Sequence, residues 1–175
     1  LRLGGGGREL RIGREVRQRR DLRRLGQRRA RAVQEALLAN PAITKIFHFA
    51  RFDVAVLYNT FGVMPAPVYC TKIASRLSRT YTDRHGLKDL VREVLNVDLS
   101  KQQQSSDWGA QSLSEAQLAY AASDVLHLHA LRDKLNVMLA REGRTDLAQS
   151  CFDFLPTRAR LDLDGWEAED IFAHS

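Results

Sequence analysis

The sequence predicts an α/β domain. Two short apolar stretches, Lys45–Phe49 and Val68–Cys70, read as buried strands, and segments of helical period stand between and after them. A strong helix start at Ser114, followed by apolar residues at helical spacing, adds the third observation.

In chain order, the globular pattern begins near Val33. Ala36–Ala39 ends a first helix, and Asn40-Pro41 stops it. KIFHF (Lys45–Phe49) is the first buried strand. Val54, Leu57, Tyr58 and Phe61 then follow helical spacing, and Gly62 supplies the stop. Met64–Pro67, with two prolines, is a loop, and Val68–Cys70 the second strand. Thr71–Ser78 and Leu87–Leu95 read as helices, the latter with Leu87, Leu90, Val91, Val94 and Leu95 on one face. Ser100–Gln111 is a polar loop. Ser114 and Gln117 have capping-box spacing, and Leu113 and Leu118 are placed for a hydrophobic staple. Leu118, Ala121, Val125, Leu128, Leu135 and Leu139 form the predicted buried stripe of one long helix, with Gly143 as its stop. A short tail helix is expected over Trp166–Phe172.

The chain of 175 residues fits one domain, and its 44% apolar content is ordinary for a soluble globular protein. No run of about 18 apolar residues occurs, so no membrane span is expected. Cys70 and Cys151 are too few for a disulfide framework or a paired-cysteine metal site, which points to a reducing, cytoplasmic setting. Of 27 basic and 21 acidic residues, 12 arginines and only Glu9, Glu15 and Asp21 fall within residues 1–31. The remainder, with 15 basic and 18 acidic groups, is mildly acidic. The pI of 9.7 therefore says little about the globular part.

Residues 1–35 form an anomalous arginine-rich segment. Gly4–Gly7 are consecutive, arginine recurs every third residue from Arg8 to Arg23, and no lysine precedes Lys45. No four-residue window before residue 31 has strand character. Leu22, Leu25, Val33 and Leu37 can line one side of a basic helix. Three readings compete: an RNA-binding arm, a solvated or disordered tail, and a frameshift or misassigned start. The monotony of the arginines favours the last.

Tyr120 and Asp124, four apart, share a face of the Ser114 helix. A carboxylate and a phenol projecting together suit a metal site, although the spacing alone is equally that of a surface hydrogen bond. Asp53 follows the first strand at the start of a helix, where α/β proteins place their sites, and where a carboxylate also serves the helix dipole. His48 is read as a core or cleft histidine. His127 and His129, two apart on a helix, face different directions and do not suggest a shared metal.

Together, and in this order, these pieces resemble ribonuclease D, a member of the DEDD exonuclease superfamily with a catalytic tyrosine. SDWGAQSLSEAQLAYAASDVLHLHALRDKL (Ser106–Leu135) resembles the third exonuclease motif, with Tyr120 and Asp124 as its Tyr-x-x-x-Asp. KIFHFARFDVAVL (Lys45–Leu57) resembles the second motif, with Asp53 as its carboxylate. TKIASRLSRT and HGLKDLVREVLNVDLSKQQQSSDW match the family's intervening spacing. The resemblance covers roughly Ala36–Ser175 and is nearest to the short bacterial form.

The resemblance implies a ribonuclease H-like 3′–5′ exonuclease fold. It implies two-metal-ion hydrolysis, with Mg²⁺ or Mn²⁺, of phosphodiesters at RNA 3′ ends such as tRNA precursors. Asp124 would ligate one ion, Asp53 would support the second through water, and Tyr120 would position the nucleophile. His48 would face the substrate. Substrate choice would come from 2′-OH contacts and splayed bases. No protein partner is implied.

The resemblance breaks at the family's first motif, an Asp-x-Glu on its opening strand, for this sequence contains no Asp-x-Glu. The family's first three strands are likewise unreadable, so residues 36–175 are expected to be a partial exonuclease domain. Two carboxylates would bind paired ions weakly, and two short strands with open edges would fold marginally or aggregate. The leading reading is an exoribonuclease by descent, of doubtful activity in this chain. The alternatives are a non-catalytic RNA-binding remnant, a partner-binding domain without nucleic acid, and an exonuclease acting on DNA.

Overall fold

The computed structural model describes residues 27–99, 106, 107, 109, 110 and 112–174. The segment up to residue 26, with Leu22 and Leu25, and most of the loop expected over Ser100–Gln111 lie outside the described residues. Helix α1 covers residues 27–39 and ends before Asn40-Pro41, as the sequence predicts. Val33 and Leu37 share one side of it, but both are exposed.

Strands β1 (Lys45–Phe47) and β2 (Val68–Cys70) form a parallel pair in register Lys45↔Val68, Ile46↔Tyr69 and Phe47↔Cys70. Helix α2 (Ala50–Phe61) connects them, and Gly62 closes it in the left-handed region (φ 71), where a side chain would be strained. β1 is shorter and less buried than the predicted KIFHF strand. Its partner β2 has only three residues before helix α3 (Thr71–Ser78) begins, and Phe49 turns into a left-handed conformation that no strand can hold. Lys45 ties the two loops before the strands together, its ammonium donating to the carbonyls of Asn40, Ile43 and Ala66.

Helix α4 (Leu87–Leu95) buries Leu90 and Val91, the centre of its predicted face. Two predicted elements need correction. The single helix expected from Ser114 to Leu139 is two, α5 (Glu115–Leu126) and α6 (Leu128–Arg141), divided at His127. The stripe divides with it. Leu128, Leu131, Leu135 and Leu139 are buried in α6, whereas Leu118 and Val125 of α5 are 54% and 57% exposed. The physical reason is support: α6 packs on α3, α4 and β1, while α5's main contact is α6 itself.

The expected tail helix over Trp166–Phe172 is a run of turns and bends, and the chain instead forms α7 (Thr145–Leu163), a helix of 19 residues. Pro156 within it removes one backbone donor, a change that ordinarily disfavours a helix by about 3 kcal/mol. Burial of Ala148, Phe152, Leu155 and Ala159 against α2 and β2 outweighs that loss. The Phe152 ring meets Tyr69 of β2 at a centroid distance of 4.6 Å, and the Tyr69 hydroxyl donates to Asn136 Oδ1 (2.9 Å).

Among the described residues one polar cluster is central. The fully buried Arg79 guanidinium donates to Ser75 Oγ and to the Arg84 carbonyl (both 2.9 Å) and pairs with Glu93, whose other oxygen accepts from Tyr81 (2.8 Å). Ser75 Oγ also meets His85 Nδ1 at 2.9 Å. This cluster fixes the turn leading into Gly86 and α4.

Candidate metal-binding cleft

The carboxyl end of β1, the first turn of α2, the start of α4 and the inner side of α5 enclose a cavity of about 680 Å³. Asp53, Tyr120, Asp124 and His48 all line it. The sequence-predicted residues are thus brought together, although Asp53 and Tyr120 are separated by two helices and a strand in the chain.

Each is placed by local physics. Asp53 sits in the first turn of α2, where a carboxylate opposes the helix dipole. Tyr120 and Asp124 are aligned by α5, whose start is a complete capping box. Gln117 N–H donates to Ser114 Oγ (3.2 Å), and Ser114 N–H donates to Gln117 Oε1 (2.8 Å). Gln117 Nε2 also donates to the Asp107 carbonyl (2.9 Å), pinning the preceding loop to the helix. The staple residues Leu113 and Leu118 are both exposed, so the cap carries this helix start. Ser114→Ala is expected to destabilise the fold by about 1 kcal/mol, read as a lower thermal midpoint.

The electrostatics suit cation binding. The Tyr120 phenol and the Asp124 carboxylate, one turn apart on α5, interact with each other. Burial raises the pKa of Asp124, and the Tyr120 hydroxyl offsets part of the shift. Burial likewise raises Asp53. Tyr120 is pushed above its ordinary value by burial and by the neighbouring Asp124 charge, so its phenol stays protonated near neutral pH. His48 Nδ1 lies 2.9 Å from Thr71 Oγ1, and Thr71 donates to the Phe47 carbonyl (3.3 Å). Burial and the Lys72 charge depress the His48 pKa to about 4, so its imidazole is neutral.

The sequence reading missed Lys88 and Asp89, which face the same cavity from the start of α4, and it set His129 aside although it lines the cleft. Their signal is weak: ordinary charged residues on an amphipathic helix look alike from either face. Asp89 is already paired with Arg92 (3.1 Å).

Among the described residues no group of three His, Cys, Asp or Glu side chains is placed to hold a metal ion. Asp53 and Asp124 fit part of the oxygen shell of a single hard cation, the rest being water. They do not fit a pair of ions, and the sequence has no Asp-x-Glu to complete one.

Comparison with known proteins identifies relatives of the chain among the nucleases. The family model described as a 3′–5′ exonuclease matches residues 24–140. The ribonuclease D of Acidiphilium cryptum is 41% identical over 111 residues, which is 63% of this chain and 28% of that protein. The chain therefore spans little more than a quarter of the length of that relative. Brucella melitensis NrnC is 65% identical, with 79% of this chain and 68% of that chain covered and a TM-score of 0.77. It has also been solved with bound Mg²⁺ and bound to pGG. Escherichia coli RNase D, an exoribonuclease involved in structured RNA processing, is 31% identical over 73% of this chain and 34% of that chain, with a TM-score of 0.67.

Proposed function

This chain belongs to the 3′–5′ exonuclease family, and we propose that it is by descent an exoribonuclease domain directed at RNA 3′ ends, tRNA precursors among them, in the cytoplasm, with its own hydrolysis weak or lost. Residues 36–175 are the nuclease part on this reading. The observation that carries it is the meeting of Asp53, Tyr120 and Asp124 in one cleft. The Mg²⁺-bound and pGG-bound forms of the Brucella protein support divalent-cation chemistry on a nucleic-acid chain.

In this reading Asp124 and Asp53 hold Mg²⁺ or Mn²⁺. A divalent ion there would supply Lewis-acid polarisation of a phosphodiester oxygen. The chain's own groups orient the reactants. Tyr120, protonated and beside Asp124 in the lining of the cleft, positions the nucleophile. Neutral His48 offers a polar contact to the substrate without adding charge beside the carboxylates.

Because the donors among the described residues fall short of a two-ion set, the chain is on this reading a weak or inactive member. Calorimetric titration with Mn²⁺ is expected to show no tight binding of two ions, and two tight sites would refute the shortfall. Loss of the remaining heat in Asp124→Asn would support the assignment of that residue. The pH dependence has a definite sign. Burial raises both carboxyl pKa values, so protons compete with the cation, and affinity should fall as pH drops through the raised values. A second reading, a non-catalytic RNA-binding remnant, is favoured by the incomplete donor set.

A further inference from the structure

A second cavity of about 700 Å³ lies on the other side of the chain that leaves β1. Consecutive residues divide the two spaces: His48 lines the carboxylate cleft, and Phe49 lines the second cavity. Phe49 achieves this by a left-handed backbone (φ 65, ψ 45), uncommon for a bulky residue and kept only where surrounding structure enforces it. Its ring is half exposed, and Lys72 Nζ sits 4.4 Å from the ring centroid.

The walls of this cavity differ in kind from those of the cleft. Three aromatic rings border it: Phe49, Phe154 and Phe172, the last two a tilted pair 6.1 Å apart. Lys72 and Arg76 line it and make no ion pair among the described residues. Arg51 and Arg158 also reach it and share one carboxylate, Asp162, which lies outside the lining. No carboxylate is among the described lining residues. A purely apolar partner would have to bury these cations unpaired, which is strongly unfavourable. Ring faces beside unpaired cations instead match a base and its phosphate: any nucleobase stacks on an aromatic face, and the backbone takes the positive charge.

We propose that this second cavity is a subsite for single-stranded nucleic acid, taking a nucleotide upstream of the 3′ end held in the carboxylate cleft. The inference rests on the exonuclease reading and extends it: the strand crosses the His48–Phe49 ridge, its base stacks among Phe49, Phe154 and Phe172, and its phosphate meets Lys72 and Arg76. Substrate discrimination then favours ends with at least a short unpaired run, since a duplex cannot splay a base into this cavity.

The test is equilibrium binding of a short, 5′-labelled oligoadenylate by fluorescence anisotropy, in EDTA so that hydrolysis and metal play no part. The double variant Lys72→Ala/Arg76→Ala is expected to bind about tenfold more weakly at low salt. The slope of log affinity against log salt should shrink by about 1.4, two single-strand phosphate contacts' worth. Phe172→Ala, at a residue 76% exposed and so of small consequence for folding, should weaken binding at least about fivefold. Binding by the parent chain with both variants unchanged would overturn the subsite and leave the exonuclease reading standing. No binding by the parent chain would overturn both. Variants that keep their oligonucleotide affinity but lose self-association in sedimentation would assign the cavity to a second copy of the chain and likewise overturn the proposal.

Discussion

Arg79→Ala is expected to lower the thermal midpoint by about 6–12 °C, corresponding to about 3 kcal/mol for a domain of this size. The side chain is fully buried, and its guanidinium joins three places in the chain: Ser75 on α3, the Arg84 carbonyl, and Glu93 on α4. Alanine leaves a cavity and removes one partner each from the buried Ser75 hydroxyl, which keeps His85, and from the part-buried Arg84 carbonyl. Glu93 is less affected, because its side chain is 41% exposed and can rehydrate. Arg79→Met separates the contributions. It restores most of the volume without the charge and should recover about half of the loss, whereas equal destabilisation by both variants would show that the hydrogen bonds dominate.

The cluster also bears on the cleft. The turn that Arg79 holds leads directly into Gly86, Leu87, Lys88 and Asp89, which form one wall of the carboxylate cavity. Loosening it should therefore weaken oligonucleotide or cation binding at temperatures where the rest of the fold is intact. Glu93 gives the same cluster a pH signature. Its pKa lies below the usual glutamate value, by the Tyr81 hydrogen bond first and the Arg79 interactions after it. The stabilisation is present above the ordinary value near 4.5 and is lost as pH falls through the depressed one. Solvent screening keeps it modest.

How much of this was legible in the sequence differs by element. Helices α3 and α4 carry their own signals, a compact amphipathic pattern bounded by turns, and the structure keeps the predicted limits. The capping box at Ser114 is equally local, and it is formed in full. Tyr120, Asp124 and Asp53 were legible only as a set, through the resemblance to ribonuclease D, since each residue alone admits a commonplace reading. What was not legible depends on tertiary surroundings. An apolar stripe states which face can be buried, not whether anything lies beneath it, and among the described residues little packs on α5. Pro156 is a local stop signal that burial along α7 overrides. Phe49 in the left-handed region has no sequence signature, yet it directs His48 and Phe49 into different cavities.

The largest chemical effect expected is the absence of hydrolysis itself. Enzymes accelerate their reactions by about a millionfold or more, and a phosphodiester exonuclease built on divalent ions depends on carboxylates to hold them. Among the described residues Asp53 and Asp124 are the carboxylates lining this cleft that have no cationic partner, and the sequence supplies no Asp-x-Glu to add to them. A 3′-labelled single-stranded RNA incubated with the chain and Mg²⁺ or Mn²⁺ should therefore be cleaved at a rate indistinguishable from that of Asp124→Asn. The comparison matters more than the absolute rate, because contaminating nucleases would act on both samples alike. If the chain releases mononucleotides from the 3′ end and Asp124→Asn abolishes that release, the cation site is complete, and its missing ligands must come from outside the described residues. If release is absent while oligoadenylate still binds in EDTA, the chain binds single strands without hydrolysing them, which is the outcome that the donor count among the described residues favours.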